Sequence, residues 1–206
     1  MFAYVKSGSI VSYPQENRGI EIDGIKHSAD IYTKWTESER NAIGIYTIEM
    51  NTTNFKSSEY YLNTEITYAY DSSSNKVTGS YGTATQKEVN DTKWTQSEID
   101  AGKAPDGADT NTIKDYGIKH YKKLEVQKAC ASILQPSDYM ALKAAEGVTM
   151  DSGWKTWRAS VRTKCNSMQT QIDNAANVDA LAALYVYTRQ EDDSTTRPLG
   201  EFPVKE

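Results

Sequence analysis

The chain has 206 residues, 38% hydrophobic and 25% charged, with a net charge of −5 and a mean hydropathy of −0.68. That length is ample for a real core in one large domain or two small ones. A negative chain without a cluster of Lys and Arg argues against a nucleic-acid binder, and no apolar run of about 18 residues is present to cross a membrane.

Residues 2–6 and 9–13 read as a hairpin around Ser7-Gly8-Ser9, since Gly supplies what a tight turn needs. The opening MFAYVKSGSIVSYP has no long apolar segment, so no signal peptide is expected. A second extended piece, Gly19–Ile22, runs into the turn signal Asp23-Gly24 and leads through Tyr32 to TKWTESE, 33–39. The same phrase returns as TKWTQSE at 92–98.

Each copy has the spacing of a capping box. Thr36 with Glu39, and Thr95 with Glu98, can satisfy free amides of a first helical turn in both directions. Trp35 and Trp94 precede the caps as staples, with Ile99 in the matching position of the second copy. Gly44 ends the first helix, and Gly102 with Pro105 ends the second. The copies are followed by different sequences, so they read as one helix start used twice; a paired binding feature is the alternative.

Tyr60–Tyr70 is rich in aromatic and β-branched residues, with Ile66, Tyr68 and Tyr70 alternating with Thr67 and Ala69. A loop at 71–75 returns it into a strand over 76–86, weakened or bulged at Gly79 and Gly82. Positions 100–112, DAGKAPDGADTNT, read as a linker. The apolar period then changes. A helix of about 20 residues is expected from Ile113 to Leu134, stopped by Pro136. Ser137 is expected to cap a short helix to Glu146. A long helix follows Asp151 through about Ala175, with Trp154, Trp157, Val161, Cys165, Met168 and Ile172 as its stripe. Asn177 caps a last helix to Leu184, and the tail from 188 reads as polar and loose unless a partner holds it. The expected fold class is α+β, with an N-terminal antiparallel β-rich half (1–99), a linker (100–112), a helical module (113–187) and the tail (188–206).

Cys130 and Cys165 fall on separate helices and read as buried free thiols, with a disulfide as the alternative. His27 and His120 read as structural. No metal-ligand spacing, phosphate loop or nucleophile elbow occurs, so no metal, cofactor or enzymatic activity is expected; a glycosidase stays open, because two distant carboxylates need no signature. Trp154, Trp157, Arg158 and Arg162 lie within two and a half turns of one helix. They read either as an aromatic core with extended Arg stems or as a docking surface, with Arg158 stacked on Trp154.

Two stretches resemble proteins of tailed phages. ILQPSDYMALKAAEGVTMDSGWKTWRASVRTKC (133–165) is similar to the small helical module of phage tail assembly chaperones, matching at Ser137-Asp138, Trp154, Arg158 and Arg162, with Trp157 where the family has Tyr. Tyr13-Pro14, Ile22-Asp23-Gly24-Ile25 and the run Trp35–Tyr46 resemble short tail or fibre-associated proteins. The resemblance implies no activity and no cofactor. It implies a structural virion protein of the tail, baseplate or fibre, binding other phage virion proteins, homo-oligomeric, without nucleic-acid or membrane partners, and made in the host cytoplasm. The alternatives are a fibre assembly chaperone absent from the particle and a carbohydrate-binding tail protein. Trp35, Trp94, Trp154, Trp157, Arg158 and Arg162 are the expected interface residues.

Overall fold

The computed structural model describes residues 1–205. They divide into two compact units, the first ending at Thr85 and the second starting at Gln86. The first is mostly strand and the second mostly helix, an α+β chain.

In the first unit, β1 (Phe2–Lys6) and β2 (Ser9–Ser12) form the expected hairpin, with Ser7 and Gly8 both at positive φ. β3 (Ile20–Ile22) and β4 (Ile25–His27) form a second hairpin on Asp23-Gly24. A 3-10 turn at Ala29–Tyr32 leads to α1 (Glu37–Ala42). β5 (Ile45–Asn51), β6 (Tyr61–Leu62), β7 (Ile66–Asp71) and β8 (Lys76–Tyr81) follow, and β9 (Thr85–Gln86) lies where this unit ends.

The main sheet has the order β2-β1-β5-β8-β7. Its pairs are antiparallel except β5 with β8, which run parallel. This one parallel pair departs from the antiparallel pairing expected of this half. A parallel neighbour needs a crossover of a dozen residues or more, and the stretch from Thr52 to Asn75 supplies it, laying β7 at the edge before β8 enters beside β5.

Strand alternation sends the two sides of this sheet into different cores. Phe2 and Ile45 meet Ile22, Ile31 and Tyr32, with Trp35 and Ile43 at the margin. Ala3, Val5, Tyr46, Ile48 and Val77 face the other way, with Ile10, Tyr68 and Tyr70 beside them. The edge strands β2 and β7 touch, so the sheet curls around this second set. Tyr13 meets Tyr68 across the same closure, their ring centroids 4.9 Å apart.

Both copies of the repeated phrase do what their spacing predicts. Thr36 N donates to Glu39 Oε2 (2.7 Å) and Glu39 N donates to Thr36 Oγ1 (3.3 Å). Thr95 and Glu98 repeat this at 3.0 and 3.3 Å before α2. Thr36→Ala is expected to lower stability by about 1 kcal/mol, read from a denaturant midpoint; an unchanged midpoint would reject the cap.

The second unit begins with β10 (Thr92–Lys93), α2 (Gln96–Asp100) and β11 (Ile113–Asp115). β10 pairs with β11, so the 100–112 stretch lies inside this unit, in the connection between two paired strands. Ile113–Asp115, expected to open a helix, is therefore strand, and α3 (Ile118–Leu134) starts five residues later. The amides that open α3 are met by the segment ahead of β10: Ile118 N donates to Glu88 O (2.9 Å) and Lys119 N to Val89 O (3.1 Å), while Gly117 N donates to Asp91 Oδ1 (2.8 Å). A periodicity argument cannot see partners that arrive from a distant loop.

Glu98 also binds Lys114 on β11. That hydrogen bond, then those from Thr95, lower its pKa from 4.5 to about 2. A folded pKa below the unfolded one gives stability that is present above pH 4.5 and lost as pH falls through 2. Carboxyl NMR should place the Glu98 midpoint near 2, and Glu98→Gln should flatten this part of the acid response.

A 3-10 turn, Gln135–Ser137, joins α3 to α4 (Asp138–Ala145), and α5 (Ser152–Asn174) and α6 (Val178–Ala183) follow. α3 and α5 pack antiparallel in a register fixed by side-chain bridges. Lys123 pairs with Asp173 (2.8 Å), Gln127 Nε2 donates to Gln169 Oε1 (2.8 Å), and Arg158 reaches Leu134 O (2.9 Å). Val126, Cys130 and Leu134 of α3 are buried, as are Val161, Cys165, Met168 and Ile172 of α5 and Val178 and Leu181 of α6.

The tail was expected to be loose; the structure corrects this. β12 (Thr188–Arg189) pairs with β13 (Thr195–Thr196). Leu199 is 1% exposed, and Lys164 Nζ donates to its carbonyl (2.9 Å). Leu199, whose N donates to Leu184 O (3.0 Å), anchors the segment once α5 and α6 offer it a site.

Candidate functional site

α4 buries none of its side chains. Leu142 is 68% exposed, and Tyr139 and Val148 are also exposed. Between α4, the loop after it and the first half of α5 lies an open cleft of about 470 Å³. Its floor is small and apolar, from Ala141, Ala144 and Gly147. Val148, Thr149 and Met150 form one wall, and Lys155, Arg158 and Arg162 the other. The same loop lines a second hollow of about 260 Å³ with Met140, Lys143 and Trp154. Asp151 starts α5 by accepting from Gly153 N (2.9 Å) and Trp154 N (3.2 Å), which sets where α5 and its cations begin.

Helical spacing allows Arg158 to stack on Trp154, but the structure turns it elsewhere. The residue is 4% exposed, and its guanidinium turns inward. Nη1 donates to Leu134 O (2.9 Å) and to Ser137 Oγ, and Nη2 pairs with Asp138 Oδ1 (2.7 Å). A planar fork matches acceptors spread over one turn, whereas an exposed stack would leave them unpaired. Ser137, expected to cap α4 with its hydroxyl, instead donates to Leu134 O (2.8 Å).

Trp154 and Trp157 meet edge to face, their ring centroids 5.5 Å apart. Trp157 Nε1 donates to Pro203 O (3.0 Å), and Lys205 sits over the Trp154 ring at 5.4 Å. The indole pair thus receives the tail, while Trp154 also lines the smaller hollow. Arg162 is exposed on the cleft wall and, like Lys155, meets no carboxylate among the described residues. Trp35 lies in the other unit, edge-on to His27 (5.6 Å) beside the Phe2 and Ile45 core. Trp94 lies under Lys114 (5.1 Å). Of the six expected residues, the structure brings together Trp154, Trp157, Arg158 and Arg162, and only Trp154, Arg158 and Arg162 line the hollows. Lys155 and the Gly147–Met150 loop were missed; the available signal was Lys155 one helical step before Arg158 and Arg162 on the same stripe.

The groups most suited to chemistry have structural surroundings. Tyr46 and Tyr70 both donate to Asn75 Oδ1, at 3.0 and 2.6 Å. Burial, then the Tyr70 hydroxyl, pushes Tyr46 up to about 12, so it stays protonated at neutral pH. Cys130 and Cys165 are free and buried. Burial, then a hydrogen bond with Cys165, raises the Cys130 thiol. His120 stacks on Tyr116 at 3.9 Å, with Asp91 at 4.0 Å from its Nδ1. Among the described residues, no three His, Cys, Asp or Glu side chains converge, and no helix is long and apolar enough to cross a membrane.

No family model, curated protein or solved structure matches the chain.

Proposed function

We propose that the chain is a structural component of a tailed-phage virion, in the tail, baseplate or fibre, that works by holding other virion proteins and copies of itself. The observation that carries this reading is the α4–α5 cleft. It joins an unburied helix, exposed apolar side chains and two cations without internal partners, all within the 133–165 stretch that resembles the phage tail module. Lys155 and Arg162 meet no carboxylate among the described residues, and aromatic and Arg residues are those that dominate protein interfaces. Rotational symmetry of a tail would supply repeated copies and closed interfaces.

A second reading, a fibre assembly chaperone, draws on the same cleft, since an open surface of this kind also suits a transient grip on an immature partner. Mass spectrometry of purified particles separates the two. The virion reading expects the chain at fixed stoichiometry with a tail or fibre protein. Its presence in infected cells but absence from the particle would overturn that reading in favour of the chaperone. A purified chain that binds or cleaves host polysaccharide would overturn both.

A further inference from the structure

We infer that the cleft between α4 and α5 takes a short segment of a partner protein bearing two carboxylates about 10 Å apart next to an apolar side chain. This deepens the reading above and rests on it for the source of the partner, while the chemistry comes from the cleft alone.

The spacing follows from α5. Lys155 and Arg162 are seven residues apart, about 10 Å along a helix at 1.5 Å per residue, and both line the same wall. Arg158 between them is committed to Leu134, Ser137 and Asp138, whose carboxylate offsets its charge, so the cleft's free cations among the described residues are Lys155 and Arg162. Of the nearby carboxylates, Asp138 pairs with Arg158, Asp151 caps α5, and Glu146 is exposed at the end of α4. With Lys143, Lys155 and Arg162 set against Asp151 and Glu146, the local charge is positive in a chain whose net charge is −5, which favours an acidic guest.

The floor and the adjoining hollow decide the rest. Ala141, Ala144 and Gly147 let a backbone come close, and Met140, Val148, Met150 and Trp154 offer an apolar seat beyond the loop. Met adapts to apolar side chains of varied shape, and Trp adds a broad apolar face. A nucleic acid would want a longer cationic track and no such seat, so the observations favour a polypeptide.

The test is selection of random 12-residue peptides from a display library on the immobilised full chain, repeated on Lys155→Gln/Arg162→Gln. Both side chains are exposed, so the variant should keep the wild-type circular dichroism. Enriched peptides should carry two acidic residues, seven apart if helical or three apart if in the polyproline II form, where one turn of three residues rises about 9 Å, near a Leu, Met or aromatic residue. As free peptides they should lose about tenfold in affinity against the variant and weaken as salt is raised. No enrichment, enrichment without paired acids, or equal affinity for the variant would overturn the inference. So would tighter binding of a single-stranded oligonucleotide or of vesicles containing anionic lipid. A chain present in particles that selects no acidic peptide sinks this inference and leaves the virion reading standing. Acidic peptides that bind a chain absent from particles do the reverse.

Discussion

Replacing Arg158 with Ala is expected to remove about 3 kcal/mol from the second unit, while Asp138→Asn costs under about 1 kcal/mol. The asymmetry follows from burial. Asp138 is 56% exposed at its side chain, and an Asn there keeps an amide oxygen that can accept from Arg158 Nη2, so the loss is small. Arg158 is 4% exposed and also holds Leu134 O and the buried Ser137 hydroxyl. Removing it leaves a carbonyl at the end of α3 without its charged donor, and hydrogen bonds to charged groups contribute about 1.5–3 kcal/mol each. The space left by the side chain adds to the loss. Arg158→Lys should recover only part, since an ammonium cannot reproduce the fork. Chemical denaturation followed by hydrogen exchange in α3 and α5 reads the effect. Equal costs for R158A and D138N would show that the surface ion pair, rather than the buried backbone contact, does the holding.

Gly44→Ala is expected to cost the first unit about 2–5 kcal/mol. Gly44 has φ +82°, where any residue with a Cβ pays about 1–2 kcal/mol. An added Cβ would also lie 2.5 Å from Val5 O and 3.2 Å from Tyr4 Cε2. The carbonyl belongs to a strand that is held in turn by Val5 N donating to Gly44 O at 2.8 Å, so it cannot retreat without opening β1 from the sheet; overpacking of this kind costs about 1–3 kcal/mol. Gly24→Ala is the control. Its φ is +81°, but nothing lies within 4 Å of the added carbon, so only the conformational cost of about 1 kcal/mol should appear. Similar midpoints for the two variants would mean that the β1 backbone yields more easily than its packing implies.

The candidate site was legible only in part. Trp154, Arg158 and Arg162 could be gathered from helical spacing, because they share one stretch of one helix. Their directions could not. Whether Arg158 reaches solvent or the end of α3 depends on where Leu134 and Ser137 come to rest, and helix spacing along α5 contains no information about α3. Lys155 and the Gly147–Met150 loop become a site only through the gap that α4 leaves open beside α5.

By itself the sequence determined the local devices: the hairpin turns at Ser7-Gly8 and Asp23-Gly24, the paired capping boxes at Thr36 and Thr95, the β7–β8 hairpin and the apolar stripe of α5. Each is settled by interactions within a few residues, whose geometry the backbone fixes wherever the segment lies. Only the tertiary structure decided the parallel pairing of β5 with β8, the strand at Ile113–Asp115, the inward turn of Arg158 and the docking of the tail through Leu199. In each, a backbone amide, carbonyl or apolar side chain finds its partner tens of residues away, and its burial depends on a surface that exists only after the distant elements have packed.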